Sequence, residues 1–240
     1  MLNYIIYYSI MGNRLFMLSY TNFLFLGVIF IKYVFINPVV DRMYNKSQLD
    51  NLLIQNNFIR IGVDKDYHSI VKKKYSDLAY SKNSGVILDK RCPLAVETIK
   101  QYISYEKILE HNIHPILIHC AIEIAQRKDL VDNEKFITTP CKSLADYGNN
   151  LKLDKIFFVP WNEFLNNYLK NSKNGIESIK LDKSPIPLGY FDDIEVNIKS
   201  ISGKYDLEYY FKNNLYEKHN IVEMLYCCGG CNNGDGVLDL

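Results

Sequence analysis

Near the C-terminus the chain runs Glu223-Met224-Leu225-Tyr226-Cys227-Cys228-Gly229-Gly230-Cys231-Asn232-Asn233-Gly234-Asp235-Gly236. Three cysteines fall within five residues, and four glycines follow or separate them. Glycine lets the backbone reach φ > 0 and curl tightly. A helix or a core strand would not tolerate so much of it. The stretch therefore reads as a loop that gathers thiolates around something small and soft. The rest of the chain becomes the frame that brings further ligands to it.

The remaining cysteines decide what kind of loop this is. Cys92, Cys120 and Cys141 stand singly in a chain of 240 residues, which is long enough to build a core without disulfide staples. Scattered single cysteines plus one crowded, glycine-rich group point to metal or cluster ligation in a reducing compartment, hence the cytoplasm. The net charge of +1, without a run of Lys and Arg, excludes an electrostatic footprint for nucleic acid. An apolar share of 48% and a charged share of 23% are ordinary for a globular protein. The wealth of Tyr, Asn, Lys and Ile is an AT-rich codon signature and carries no functional reading.

The N-terminal 31 residues form an apolar extension ahead of a domain spanning 32–240. From Leu15 to Ile31 there are 17 residues without a charge, between Arg14 and Lys32. A membrane span takes about 20 residues, so this run is read as a membrane anchor. The alternatives are an N-terminal helix followed by a buried strand, or a start at Met11 or Met17. No small-residue cleavage site follows the run, so it is not a cleavable signal peptide.

Further along, the pattern alternates. Tyr33–Ile36 is β-branched and aromatic and stops at Asn37-Pro38, which predicts a strand. Ser47 with Asp50 three residues on predicts a capped helix to about Asn57. Phe58–Val63 is a second strand, so the three elements form a βαβ unit with parallel strands. Tyr67–Tyr80 is a polar, Lys-rich helix. Gly85–Leu88 is a strand running into Asp89-Lys90-Arg91-Cys92-Pro93, with Pro93 at the first position of a helix that continues to Ile108. At that helix start the dipole favours a Cys92 thiolate; the plainer reading is a cysteine that happens to cap.

Pro115–Ala125 opens another packed helix in which Cys120 is a small buried hydrophobe. His111, His114 and His119 lie nearby without the carboxylate or cysteine spacing that would complete a zinc site. Lys135–Thr139 is a strand that ends at Pro140-Cys141, followed by a turn of helix over Ser143–Tyr147. Ile156–Val159 is the next strand, with a helix over Asn162–Lys170. Residues 171–189 are loop and the expected boundary between two lobes. A strand over Ile194–Ile201, a helix over Asp206–Leu215 and a strand over Ile221–Tyr226 lead into the cysteine loop. The fold class is α/β: two lobes of mostly parallel sheet flanked by helices, with the cysteines in the cleft between them.

Three strand ends thus deliver cysteine: Cys92, Cys141, and the pair Cys227 and Cys231. Ligands of open α/β sheets bind beyond the carboxyl ends of the strands. Four thiolates there suit an iron–sulfur cubane or a tetrahedral zinc. Nothing resembles the paired Cys-x-x-Cys knuckles of zinc proteins, which places a structural four-cysteine zinc site last.

From about Ile36 to Gly236 the chain resembles the catalytic, H-cluster domain of the iron-only hydrogenase family. Cys92-Pro93 is similar to the family's Cys-Cys-Pro, and Thr139-Pro140-Cys141 to its Met-Pro-Cys-x-x-Lys. The stretch Glu223–Gly236 is similar to Glu-x-Met-Ala-Cys-Pro-Gly-Gly-Cys-x-x-Gly-Gly-Gly. The resemblance implies that Cys92, Cys141, Cys227 and Cys231 hold a 4Fe-4S cluster, with Cys231 shared with a diiron subcluster where one exists.

The departures from that family shape the expected function. Arg91 stands where the family has its proton-delivering cysteine, and a permanently charged guanidinium cannot relay a proton. Leu144 replaces the lysine that contacts the diiron ligands. Tyr147 replaces an acidic residue, with Asp146 adjacent, and Cys228 replaces a proline. The family's ferredoxin-like domain is absent, and the interval from Cys141 to Cys227 is short. The cubane ligands survive while the diiron and proton-handling groups do not, as in short regulatory or sensory members. The expectation is one cubane used for redox sensing or electron transfer with a redox or signalling protein partner. An active iron hydrogenase is the alternative from the enzyme class.

Overall fold

Apolar β-branched runs that end in proline, asparagine or glycine make short strands here, and the amphipathic segments between them make helices. A computed structural model describes residues 7–11, 14–18, 29–81, 85–170 and 176–238. Strands β1 (Tyr7–Met11), β2 (Arg14–Leu18) and β3 (Ile29–Phe30) pair antiparallel in that order. Most of the expected membrane anchor, residues 19–28, lies outside the described residues. Its described start belongs to β2 and not to a helix. No helix among the described residues is long and apolar enough to cross a membrane.

The first parallel sheet starts with β4 (Lys32–Phe35), helices α1 (Pro38–Met43) and α2 (Lys46–Gln55), and β5 (Phe58–Arg60). Asn45, not Ser47, caps α2: its Oδ1 accepts from Gln48 N at 3.2 Å, two residues earlier than the Ser47–Asp50 spacing suggests. Asp50 instead pairs with Arg60 at 2.6 Å. The chain then leaves this sheet. Helix α3 (Tyr67–Ala79), strand β6 (Ile87–Leu88) and helix α4 (Pro93–Ile99) belong to a second sheet. Helix α4 stops nine residues short of Ile108. A turn and a 3-10 segment at Tyr105–Lys107 follow, and Ile108 still packs into the same core as Ile99.

The chain returns to the first sheet through α5 (Ile116–Gln126), β7 (Lys135–Thr139), α6 (Lys142–Asn150), β8 (Ile156–Pro160) and α7 (Trp161–Tyr168). The strand order is β5-β4-β7-β8, all parallel. It then crosses back through β9 (Ile198–Ser202), α8 (Lys204–Lys212) and β10 (Ile221–Leu225). Strand β9 begins later than expected because Ile194 is taken by a turn, its N–H donating to Phe191 O at 2.9 Å. The second sheet has the order β6-β10-β9, again parallel, with the last strand in the middle.

The fold is therefore α/β, two parallel sheets flanked by helices. The sheets exchange chain three times up to β10, the last time between α7 and β9. Both sheets are covered on both faces. Val34 and Phe136 face Val39, Leu53 and Trp161, while Ile137 and Phe158 face Ile118, Ile124 and Leu144. In the second sheet Leu88 and Met224 face Ala95 and Phe211, while Ile87 and Ile221 face Tyr75 and Phe191. Burial on both faces is why every residue of β7 and of β10 is buried, rather than alternate ones.

Asn37 ties the carboxyl ends of β4 and β7 together. Its Oδ1 accepts from Val39 N and Val40 N at 3.0 and 3.1 Å, capping α1, while its own N–H donates to Thr138 Oγ1 at 2.9 Å. Asn37→Ala should cost about 1–2 kcal/mol, the range for losing a helix cap. Urea unfolding measures it, and an unchanged midpoint would remove Asn37 from the connection.

Candidate functional site

Cys92, Cys141 and Cys227 each follow the carboxyl end of a parallel strand, and Cys231 lies farther along the tail beyond β10. Cys92 follows β6 and Asp89, is extended, and caps α4. Cys141 follows β7, is extended, and caps α6. Cys227 lies two residues beyond β10, and Cys231 opens a 3-10 turn over Cys231–Asn233. All are free thiols and partly buried.

Beyond β10 the tail leaves its own sheet and lies down on the other one. Gly236 N donates to Pro140 O at 3.0 Å, and Lys142 N donates to Asp235 Oδ1 at 2.9 Å. Asp235 thereby puts a carboxylate on the first N–H of α6, where the helix dipole favours it. Asn162 closes the other side, its N–H donating to Gly236 O at 2.9 Å and its Nδ2 to Asp235 O at 3.0 Å. Val237 then buries in the first sheet's core. Two glycines make the approach feasible. A Cβ on Gly234 would stand 2.3 Å from Pro140 O, and one on Gly230, where φ is +124°, would stand 2.4 Å from Ser184 Cβ.

This path makes the thiols electrostatic neighbours. Burial raises the Cys231 thiol most, and charge on Cys92, Cys141 and Cys227 raises it further, while Arg91 pulls it down. Burial pushes Cys141 up to about 12, with Cys92, Asp235 and Cys227 adding to the effect. Cys227 goes up to about 11 through burial, then Cys92 and Asp235. Cys92 is raised as well, which corrects the expectation from the helix start. Backbone contacts at Tyr226, Ala95 and Leu94 do pull its thiol down, yet loss of water outweighs them. Among the described residues no three His, Cys, Asp or Glu side chains close on one point as a single metal ion requires.

Arg91 is fixed beside these thiols in a buried ion triad. Its Nε donates to Asp89 Oδ1 and Oδ2 at 3.0 and 3.1 Å, and its Nη2 to Asp89 Oδ2 at 2.8 Å and Glu223 Oε1 at 2.7 Å. Glu223, in the middle of β10, also accepts from Tyr190 N, Gly189 N and Ser200 Oγ at 3.1, 2.8 and 2.6 Å. Leu144 is buried in the first sheet's core. Tyr147 shares a 2.7 Å hydrogen bond with His114 Nδ1.

The other candidates fall outside this group. Cys120 is buried on α5, where burial and Glu123 push its thiol up to about 12. Cys228 is exposed. His111 is held by Leu88 O at 2.9 Å, and His119 stacks on Tyr67 with its pKa lowered to about 4 by burial, Lys74 and His114. Asp89, Glu223 and Asp235 were not singled out from sequence. The first two carried a signal: an acid directly after Ile87-Leu88, and another inside the apolar run Ile221–Leu225. Comparison with protein families, curated proteins and solved structures finds no match for the chain.

Alkylating the metal-free protein with iodoacetamide at pH 8 should modify Cys228 first, because it is exposed. Cys92, Cys141, Cys227 and Cys231 should lag, as their thiols stay protonated, and speed up toward pH 11 where Cys227 ionises. Peptide mass spectrometry reads the order; four fast cysteines at pH 8 would contradict the enclosure described.

Proposed function

We propose that Cys92, Cys141, Cys227 and Cys231 hold one four-iron four-sulfur cubane, and that the protein uses it for redox sensing or electron transfer in the cytoplasm. The observation that supports this reading is the path of the tail, which carries Cys227 and Cys231 from β10 of one sheet onto the Pro140–Cys141 end of β7 in the other, Gly236 N donating to Pro140 O at 3.0 Å and Lys142 N to Asp235 Oδ1 at 2.9 Å. The donor set fits the group. It is all sulfur and numbers four, the usual complement for a cubane. Thiols protonated in the metal-free protein give up their protons on ligation, so loading falls as pH falls.

When bound, a cubane takes up or gives up one electron. The protein's own residues hold it, keep most water away, and leave Cys228 and the tail surface for a redox or signalling partner. Kinship with the short regulatory or sensory iron-only hydrogenases is part of the same proposal. Membrane association through residues 15–31, read from their uncharged run, belongs to the same proposal.

Two other readings are weaker. A tetrahedral zinc at about 2.3 Å from each sulfur draws four sulfurs to about 3.8 Å of one another, and no such ion-sized group is present among the described residues. A cubane carries its thiolates on outer corners and accepts a wider set. Hydrogen turnover at a diiron subcluster needs a proton path and polar contacts to that group. Arg91 is locked by two carboxylates, Leu144 is apolar, and Tyr147 is engaged by His114.

Anaerobic reconstitution with iron and sulfide should give about four of each per chain and a brown protein; a colourless, iron-free product rejects the reading. Cys227→Ser should lower the iron content and loosen the tail, whereas Cys120→Ser should leave iron unchanged. Loss of iron in Cys120→Ser would mean that a different four cysteines serve. Hydrogen-dependent reduction of a viologen dye should be absent, and its presence would favour the hydrogenase.

A further inference from the structure

Asn233 is followed by Gly234. In this pairing the main-chain nitrogen most easily attacks the side-chain amide before it, because glycine has no Cβ to hinder the nitrogen or limit its rotation. The fold leaves room for nothing but glycine there. Gly234 is buried, and a Cβ on it would stand 2.3 Å from Pro140 O. The residue that lets the tail lie down on the first sheet is thus the one that makes Asn233 labile. In the docked tail the reacting atoms are held. Asn233 Nδ2 donates to Cys228 O at 2.7 Å, which turns the amide back along the chain. Gly234 N donates to Cys231 O at 3.1 Å, and Asn233 N donates to Gly230 O at 3.1 Å, which fixes the 3-10 turn. A main-chain N–H held in this way gives up its proton only when the segment opens. Asp235-Gly236, the next pair along, is pinned in the same manner, by Lys142 N on the carboxylate and Pro140 O on the nitrogen. Asn233 itself is exposed, so water reaches it.

We infer that Asn233 is a deamidation site whose reaction is gated by docking of the tail, and that conversion keeps the tail from docking again. Once the segment opens, Gly234 N bonds to Asn233 Cγ. The side-chain nitrogen leaves as ammonia with the proton given up by Gly234 N, and a cyclic imide remains. Water then opens the ring at either carbonyl. The product is aspartate, or isoaspartate with one more methylene in the main chain. Water is the sole co-reactant, and nothing is oxidised or reduced. Neither product suits the docked tail. A carboxylate takes the place of the Nδ2 donor and faces Cys228 O with no proton between them. The added methylene of isoaspartate displaces Gly234 from a place where even a Cβ has no room. Chains whose tails stay open thereby lose the contact with the first sheet for good, whatever group the cysteines hold.

The test follows the whole metal-free chain at pH 8, native and unfolded in guanidinium chloride, by peptide mapping. Mapping is needed because Asn174-Gly175 gives the same mass change. Asn233 should convert at least about tenfold more slowly in the native chain, a ratio set by how rarely the segment opens. Equal rates, or no conversion in the unfolded chain, would overturn the inference. This comparison needs no variant and so does not depend on one folding. Asp235→Ala removes the contact to Lys142 N and should speed conversion several-fold in the native protein. A rate equal to that of the unaltered chain would mean that docking is not the gate. Converted native protein is then separated by its extra negative charge and treated with iodoacetamide. Cys227 and Cys231 should react faster in it than in unconverted protein, and equal protection would show that conversion leaves the tail docked.

Discussion

The hydrogen bond from Gly236 N to Pro140 O, with Asp235 seated on the first N–H of α6, ties the tail that carries Cys227 and Cys231 to the other sheet at the end of β7. Without it Cys227 and Cys231 would stay over their own sheet and Cys141 over the other. Each such bond contributes about 1 kcal/mol net. The tail adds little apolar surface beyond Val237. A loop held this lightly gains much of its order from whatever its cysteines bind.

The buried triad performs a different task. Asp89, Arg91 and Glu223 bring two negative charges and one positive charge out of water, which by itself stabilises little. Its geometry links parts that packing alone leaves free to slide. Asp89 follows β6, Glu223 is the midpoint of β10, Ser200 is on β9, and Gly189-Tyr190 belongs to the incoming loop. All three strands of the second sheet are therefore registered through one carboxylate, Glu223.

Much of this was legible in the sequence because it rests on local chemistry. The strands at Tyr33, Ile87, Lys135, Ile156 and Ile221 are short apolar runs with clear stops, and Cys92 and Cys141 stand beyond two of those stops. Three things were not legible. Sheet membership depends on pairing across more than a hundred residues, so nothing near Ile87 reveals that its partner is Ile221. The Asn45 cap competed with an equally plausible signal at Ser47. The protonation of Cys92 depends on how much water the finished fold excludes, and that outweighs the helix start that sequence can see.

Strand β10 sits between β6 and β9, although it is made after both. During synthesis, the two outer strands emerge with their inward edges unpaired and must wait for residues 221–225. Neither sheet can close as an independent, contiguous unit, and such distant pairings make folding slow and leave open edges exposed to other chains. Assembly of anything bridging the two sheets therefore waits until residues 221–225 have been made.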